Sequence, residues 1–176
     1  MLPAIDVGKS VSRVGGKAQR AAYRAVAGDL KLGYAQFEEL ETFSRFGARL
    51  DEDTRRIIEH GRRIRACLKQ PEFAPVPVPA QIAVLLALTA KLFDRVPLDQ
   101  MTDAEAALRA AAAGIPRGVR ERLDTAEQLS DEDRKTMIQI ASRALARFQP
   151  KPDPESNAQV QTEGEPKPAP ESEVKS

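Results

Sequence analysis

From Lys17 onward, apolar side chains recur at helical intervals. Ala18, Ala21, Ala22, Ala25 and Val26 lead to Gly28, and Leu30, Tyr34, Phe37, Leu40, Phe43 and Phe46 continue the stripe at steps of three and four. Such a stripe reads as a face buried against other helices. Glu38, Glu39 and Glu41 lie between its aromatics, and carboxylates there would repel the phosphates of a nucleic acid stacked on the rings. Asp51 is placed to cap a helix running through Ile57, Ile64 and Leu68, which stops near Pro71 because proline disfavours helical geometry in Gln70. The alternation of proline with apolar residues from Pro71 to Pro79 predicts an extended strap laid across the helices.

Beyond the strap, Ile82 to Leu88 is an unbroken apolar run, long enough for a buried helix and too short for a membrane span of roughly twenty residues. Thr102-Asp103-Ala104-Glu105 has capping-box spacing, and Gly114 before Ile115-Pro116 reads as the C-cap of that short helix. A small helix is expected over Arg117 to Leu123. Ser130 caps a last one whose apolar side is Met137, Ile138, Ala141, Ala144, Leu145 and Phe148. At the other end, residues 1–14 are rich in Val, Ile, Ser and Gly and predict an extended segment, a strand stub ending at Gly15-Gly16. Residues 150–176 are rich in proline and acid and poor in large apolar side chains, which predicts disorder. The fold class is therefore all-α: six or seven short helices, divided into a leading segment 1–16, a helical domain 17–149 and a tail 150–176.

Composition narrows the chemistry. The first seventy residues hold 14 basic and 9 acidic side chains, an excess too diffuse for a nucleic-acid-binding stripe. With a single cysteine, Cys67, and a single histidine, His60, there is no intramolecular disulfide, metal constellation or Ser-His-Asp triad to assemble. Cys67 sits beside Ile64 and Leu68 on a helix face and reads as a core residue in a reducing compartment. The leading residues lack the cationic and apolar regions of a secretory signal. Gly8-Lys9-Ser10 matches the end of a phosphate-binding loop, but the glycine required five residues earlier is Pro3. Arg13 stands among small residues directly before two glycines. It fits either a surface ion pair or a guanidinium fork projected toward an anion on an adjoining protein.

The run Pro3 to Gln19, PAIDVGKSVSRVGGKAQ, resembles the stretch of F-type ATP synthase α subunits that usually reads PAINVGxSVSRVGSAAQ. The similarity continues through Val26 to Leu32, Ala35 to Glu41, Phe43 to Gly47, Leu50-Asp51 and Leu68 to Pro75, in the family's order, and thins after about residue 95. The resemblance implies that Arg13 is the arginine finger reaching the γ-phosphate of nucleotide held mainly by a β subunit. It also implies that Gln70 and Glu72 occupy the positions of two glutamines near the adenine of the non-catalytic site. Gln70 matches; Glu72 replaces an amide with a charge and loses its donor. Pro3 corresponds to the proline of the family's Arg-Pro pair, with Leu2 in place of the arginine, which implies a chain begun or cut inside the subunit.

On the same resemblance, the expected cofactors are ATP or ADP with Mg2+ in the full complex and none on the isolated chain, which lacks a complete active site. Expected partners are the β subunits, the γ rotor stalk, and δ and other stator subunits, with no nucleic acid. Membrane association would come only through the complex, peripheral on the cytoplasmic face of the inner (plasma) membrane, with proton or sodium as the coupled ion; unassembled, the chain would be cytoplasmic. The competing expectation is a free-standing helical interaction fragment, or a disrupted-gene product, in which Arg13 has no catalytic role.

Overall fold

Gly61 lets the third helix lie directly on the ring of Phe37 from the second. The computed structural model describes residues 3, 5–7, 10, 12–44, 50–126 and 128–150, with the backbone alone for residue 13. Within them seven α-helices follow one another: α1 Arg13–Ala18, α2 Ala21–Ser44, α3 Glu52–Cys67, α4 Val78–Thr89, α5 Met101–Ala111, α6 Arg117–Thr125 and α7 Asp131–Leu145. Short 3-10 turns, Leu98–Gln100, Ala112–Gly114 and Ala146–Phe148, attach to α5 and α7. No strand occurs among the described residues. The all-α expectation holds.

α2 and α3 run antiparallel, since Gly33 faces Ile64 while Phe37 faces Gly61. α4 is the central element, touching α2, α3, α5 and α7. Its position follows from its sequence: Ala80, Ile82, Ala83, Val84, Leu86, Ala87 and Leu88 are all buried, and a helix apolar on every side has to be covered on every side. Met101, Ala104 and Leu108 of α5, Val119 and Leu123 of α6, and Met137, Ala141 and Leu145 of α7 complete the core. Asp51 and Ser130 cap as expected, accepting from the Thr54 and Asp133 amides at 2.7 and 3.1 Å.

Several local expectations need correction. The segment read as extended up to Gly15-Gly16 becomes helical at Arg13, because the Ser12 hydroxyl accepts from the Gly15 amide at 2.8 Å and starts α1. Phe43, expected in the core stripe, is 58% exposed. Two successive steps of three from Phe37 carry it about 120° around the helix, off the buried face. Thr102 is not an N-cap: α5 begins at Met101 after a 3-10 turn, and Glu105 reaches forward to Arg109 instead of back. Phe46 and the tail beyond Pro150 lie outside the described residues.

Lys91 ends α4 in an unexpected way. Its φ is 58°, its amide bonds to the Leu88 carbonyl at 2.9 Å, and the Leu92 amide reaches back to Ala87 at 2.9 Å. That is the paired bonding of a helix terminus that usually takes glycine at the left-handed position. Lysine there carries the Cβ penalty. Lys91→Gly is expected to raise stability by roughly 0.5–1 kcal/mol, the strain relieved less the entropy that glycine adds to the unfolded chain. Urea unfolding with an unchanged slope would measure it.

Two carboxylates make stability depend on pH in opposite senses. Burial pushes the Glu105 carboxyl above the usual range, and Arg109, bonded to it at 2.5 Å, pulls it partly back. Between the unfolded value of about 4.3 and that raised value, the native state holds more protons than the unfolded one, so stability rises as pH falls through this window. Asp133 is held below the usual range, first by the side-chain bonds from Arg122 at 2.9 and 2.6 Å. Its contribution is complete above about pH 4 and is lost as pH falls through the depressed native value. Glu105→Gln is expected to abolish the gain on acidification above about pH 4.3 and to leave the loss at lower pH intact, as read by urea titrations along a pH series.

Candidate functional site

Three features gather at one end of the bundle: the N-terminal segment, the start of α2, and the loop that leads from α3 to α4. Val7 of the segment packs on the core, and it shares a hollow of about 130 Å³ with Leu68 at the end of α3 and with Leu30 and Tyr34 of α2. The Lys31 ammonium donates to the Ser10 carbonyl at 3.0 Å and so ties the segment to α2 just before the Ser12 cap. Arg13 is the first residue of the helix that this cap begins. Its backbone is thus fixed at two points close by in sequence.

The α3–α4 loop is organised by side chains. The Gln70 amide donates to the Ala74 carbonyl at 2.5 Å, closing a short turn over Pro71, Glu72 and Phe73. Glu72 is exposed, and Phe73 is 93% exposed with a φ of 58°, an unusual combination for a bulky residue. Gln81 anchors the far side of the strap, donating to the Val76 carbonyl at 2.6 Å and accepting from the Tyr23 hydroxyl of α2 at 2.7 Å. The extended path expected from the prolines therefore spans only the residues before Val78, where α4 starts with Pro79 in its first turn. Pro3 is half-buried. Of the four residues singled out from the sequence, Gln70 and Glu72 share this turn, while Pro3 and Arg13 belong to the N-terminal segment; Val7 of that segment and Leu68, just before the turn, line the same hollow.

A larger hollow, about 640 Å³, lies elsewhere, between α2, α3 and the turn after α4. Its side holds the hydrogen bond between His60 Nδ1 and Asp94 at 2.6 Å, and Arg63 fixes the adjoining backbone by donating to the Val96 and Glu59 carbonyls. Neither this hollow nor the other described residues group three or more metal-ligating side chains. Cys67 is buried, and burial pushes its thiol far above the ordinary range, so it is a packed residue and not a nucleophile. A sequence reading has no means of seeing the His60–Asp94 pair, whose members lie 34 residues apart. No helix is long and apolar enough to cross a membrane among the described residues.

Comparison with known proteins gives a consistent answer. Residues 19–160 match the family described as "ATP synthase alpha/beta chain, C terminal domain", so Arg13 and Pro3 precede the matched stretch. Relatives include the "ATP synthase subunit alpha 2" of Albidiferax ferrireducens, 76% identical over 153 residues, which make up 87% of this chain and 29% of that protein. The "ATP synthase subunit alpha 2" of Polaromonas naphthalenivorans is 69% identical over 152 residues, 86% of this chain and 29% of the relative. The "ATP synthase subunit alpha 1" of a Marinomonas species is 65% identical over 153 residues, 87% of this protein and 30% of that one. The sequence thus spans less than a third of the length of these curated relatives. With the family match over most of its length and a helical architecture to accompany it, the protein belongs to the family of C-terminal domains of ATP synthase alpha and beta subunits.

Proposed function

We propose that this protein acts as the C-terminal part of the α subunit of a rotary F-type ATP synthase, in which Arg13 is supplied in trans to a catalytic site on a β subunit. The observation that carries this reading is the 76% identity to an ATP synthase subunit alpha, taken together with the SVSRVGG run that puts Arg13 at the first position of a capped helix. A guanidinium there would bond to the oxygens of a transferring phosphoryl group and stabilise the charge that develops on them. Its planar fork, permanently charged, suits that task better than an ammonium.

The other parts follow from the same reading. ATP or ADP with Mg2+ is bound by the assembled complex, and the helical bundle packs beside β subunits and around the γ stalk, with δ and other stator subunits nearby. Ion movement, proton or sodium, is coupled through the complex, which is held peripherally at the cytoplasmic face of the membrane. Gln70 offers an amide toward the adenine of a non-catalytic nucleotide, with Pro3 alongside. Glu72 offers only acceptors, so it would select against the ring's acceptor atoms and weaken that contact.

A cross-linking experiment tests the placement. Val14 is 81% exposed and adjoins Arg13. A photo-reactive residue at position 14 of the complete subunit, assembled with its partners, is expected to attach to the β subunit in the presence of nucleotide. Attachment confined to its own polypeptide would refute the placement and favour a free-standing helical protein.

A further inference from the structure

The proline strap, the end of α5 and the start of α6 border a hollow of about 390 Å³ that is lined by two arginines and by no acidic residue. Pro75, Pro77, Pro79 and Ala112 form apolar walls, and Arg109 and Arg120 supply all of its charge. Arg109 is committed on one edge to Glu105 at 2.5 Å, yet its Nε–H is buried with no acceptor. Arg120 has no ion pair among the described residues and is exposed. Arg109 is neutralised by Glu105, which leaves Arg120 as the uncompensated cation on the hollow's wall.

We infer that this hollow is a binding site for a small oxyanion carrying an apolar body, a phosphate monoester or a carboxylate, with the anionic head between Arg109 and Arg120 and the body against the prolines. The volume lies within the range of small-ligand pockets, and the pattern of apolar walls with a few convergent polar groups is theirs as well. Guanidinium groups bind both kinds of oxyanion through paired, charge-assisted hydrogen bonds. The strap is a stiff wall, since Gln81 ties Val76 to α2 through Tyr23. A site of this kind needs little ordering when the ligand enters.

The test uses the 176-residue chain with labelled arginines. The side-chain Nε–Hε signals of Arg109 and Arg120 are followed during separate titrations with phenyl phosphate, benzoate, inorganic phosphate and sodium chloride. Saturable shifts at both arginines are expected with phenyl phosphate, benzoate or both, and the arms tell which head the site takes. Inorganic phosphate, lacking the apolar body, is expected to bind more weakly. Arg120→Gln should weaken the organic ligand roughly tenfold or more. Ala113→Phe, at an exposed position on the rim, should block it while both guanidiniums remain. Shifts that merely follow ionic strength, equal affinity for inorganic phosphate, or unchanged binding in both variants would overturn the assignment. An unaltered helical circular dichroism spectrum confirms that the variants stay folded.

Discussion

Gly61→Ala is expected to destabilise the domain by about 3 kcal/mol or more, the upper end of what overpacking a core costs. A Cβ at position 61 would lie 2.0 Å from Cγ, 2.3 Å from Cβ and 2.5 Å from Cδ2 of Phe37. No such contact can persist, so either the ring or the helix has to move. The ring has nowhere to go: Phe37 is fully buried, tilted against Tyr34 at 5.6 Å, and covered by the Arg65 guanidinium 4.4 Å from its centre. Arg65 is itself held by two bonds to Glu41 at 3.1 and 2.7 Å. Displacing α3 would therefore strip a cation–π contact and an ion pair as well as open the core. Urea unfolding of Gly61→Ala, Phe37→Ala and the double variant measures this. Removing the ring takes away the contacts at 2.0 and 2.5 Å and leaves room for α3 to shift off the remaining Phe37 Cβ at 2.3 Å, so the double variant should lose less than the sum of the singles. A Gly61→Ala protein within about 0.5 kcal/mol of the parent would show that the packing is looser than described.

Arg13→Ala in the complete, assembled synthase is expected to lower multisite ATP turnover by roughly 10³- to 10⁵-fold, the range that arginine fingers contribute in other phosphoryl-transfer enzymes. That corresponds to about 4–7 kcal/mol of transition-state stabilisation. Nucleotide affinity should change far less, because the interaction is strongest where charge develops. Lysine at position 13 keeps the charge but not the fork, so its turnover should stay much closer to that of alanine than to the parent. Helix α1 need not suffer: its cap is the Ser12 hydroxyl on the Gly15 amide, which neither change touches. Normal assembly with lost turnover separates a chemical role for Arg13 from a structural one.

Much of the architecture is legible in periodicity, and the exceptions are instructive. Asp51 and Ser130 announce their helices because a cap is a local device, a side chain bonding an amide three residues on. The apolar run of α4 identifies the central helix for the same reason, since its surroundings follow from its own surface. Glu105 misleads because the capping-box spacing is identical whether a glutamate turns back to the cap or forward to Arg109, and burial near Cys67 decides between them. The terminus at Lys91 is hidden because the signal for it is glycine, and here the strain is borne by lysine. The site is a different matter. Arg13, Gln70 and Glu72 stand out through family resemblance, and no spacing along the sequence marks them; a residue that serves a neighbouring subunit has its chemical partners in another sequence. The hollow around Arg109 and Arg120 joins residues from three elements, so only the folded protein brings it into view.

The most direct test of the trans-acting guanidinium is chemical rescue: single-turnover ATP hydrolysis by the assembled synthase carrying Arg13→Ala, measured with and without free guanidinium ion. The account expects a large loss that guanidinium partly restores in a saturable manner and that ammonium at equal ionic strength does not. Turnover by Arg13→Ala at the parent rate, with nothing to rescue, would contradict it.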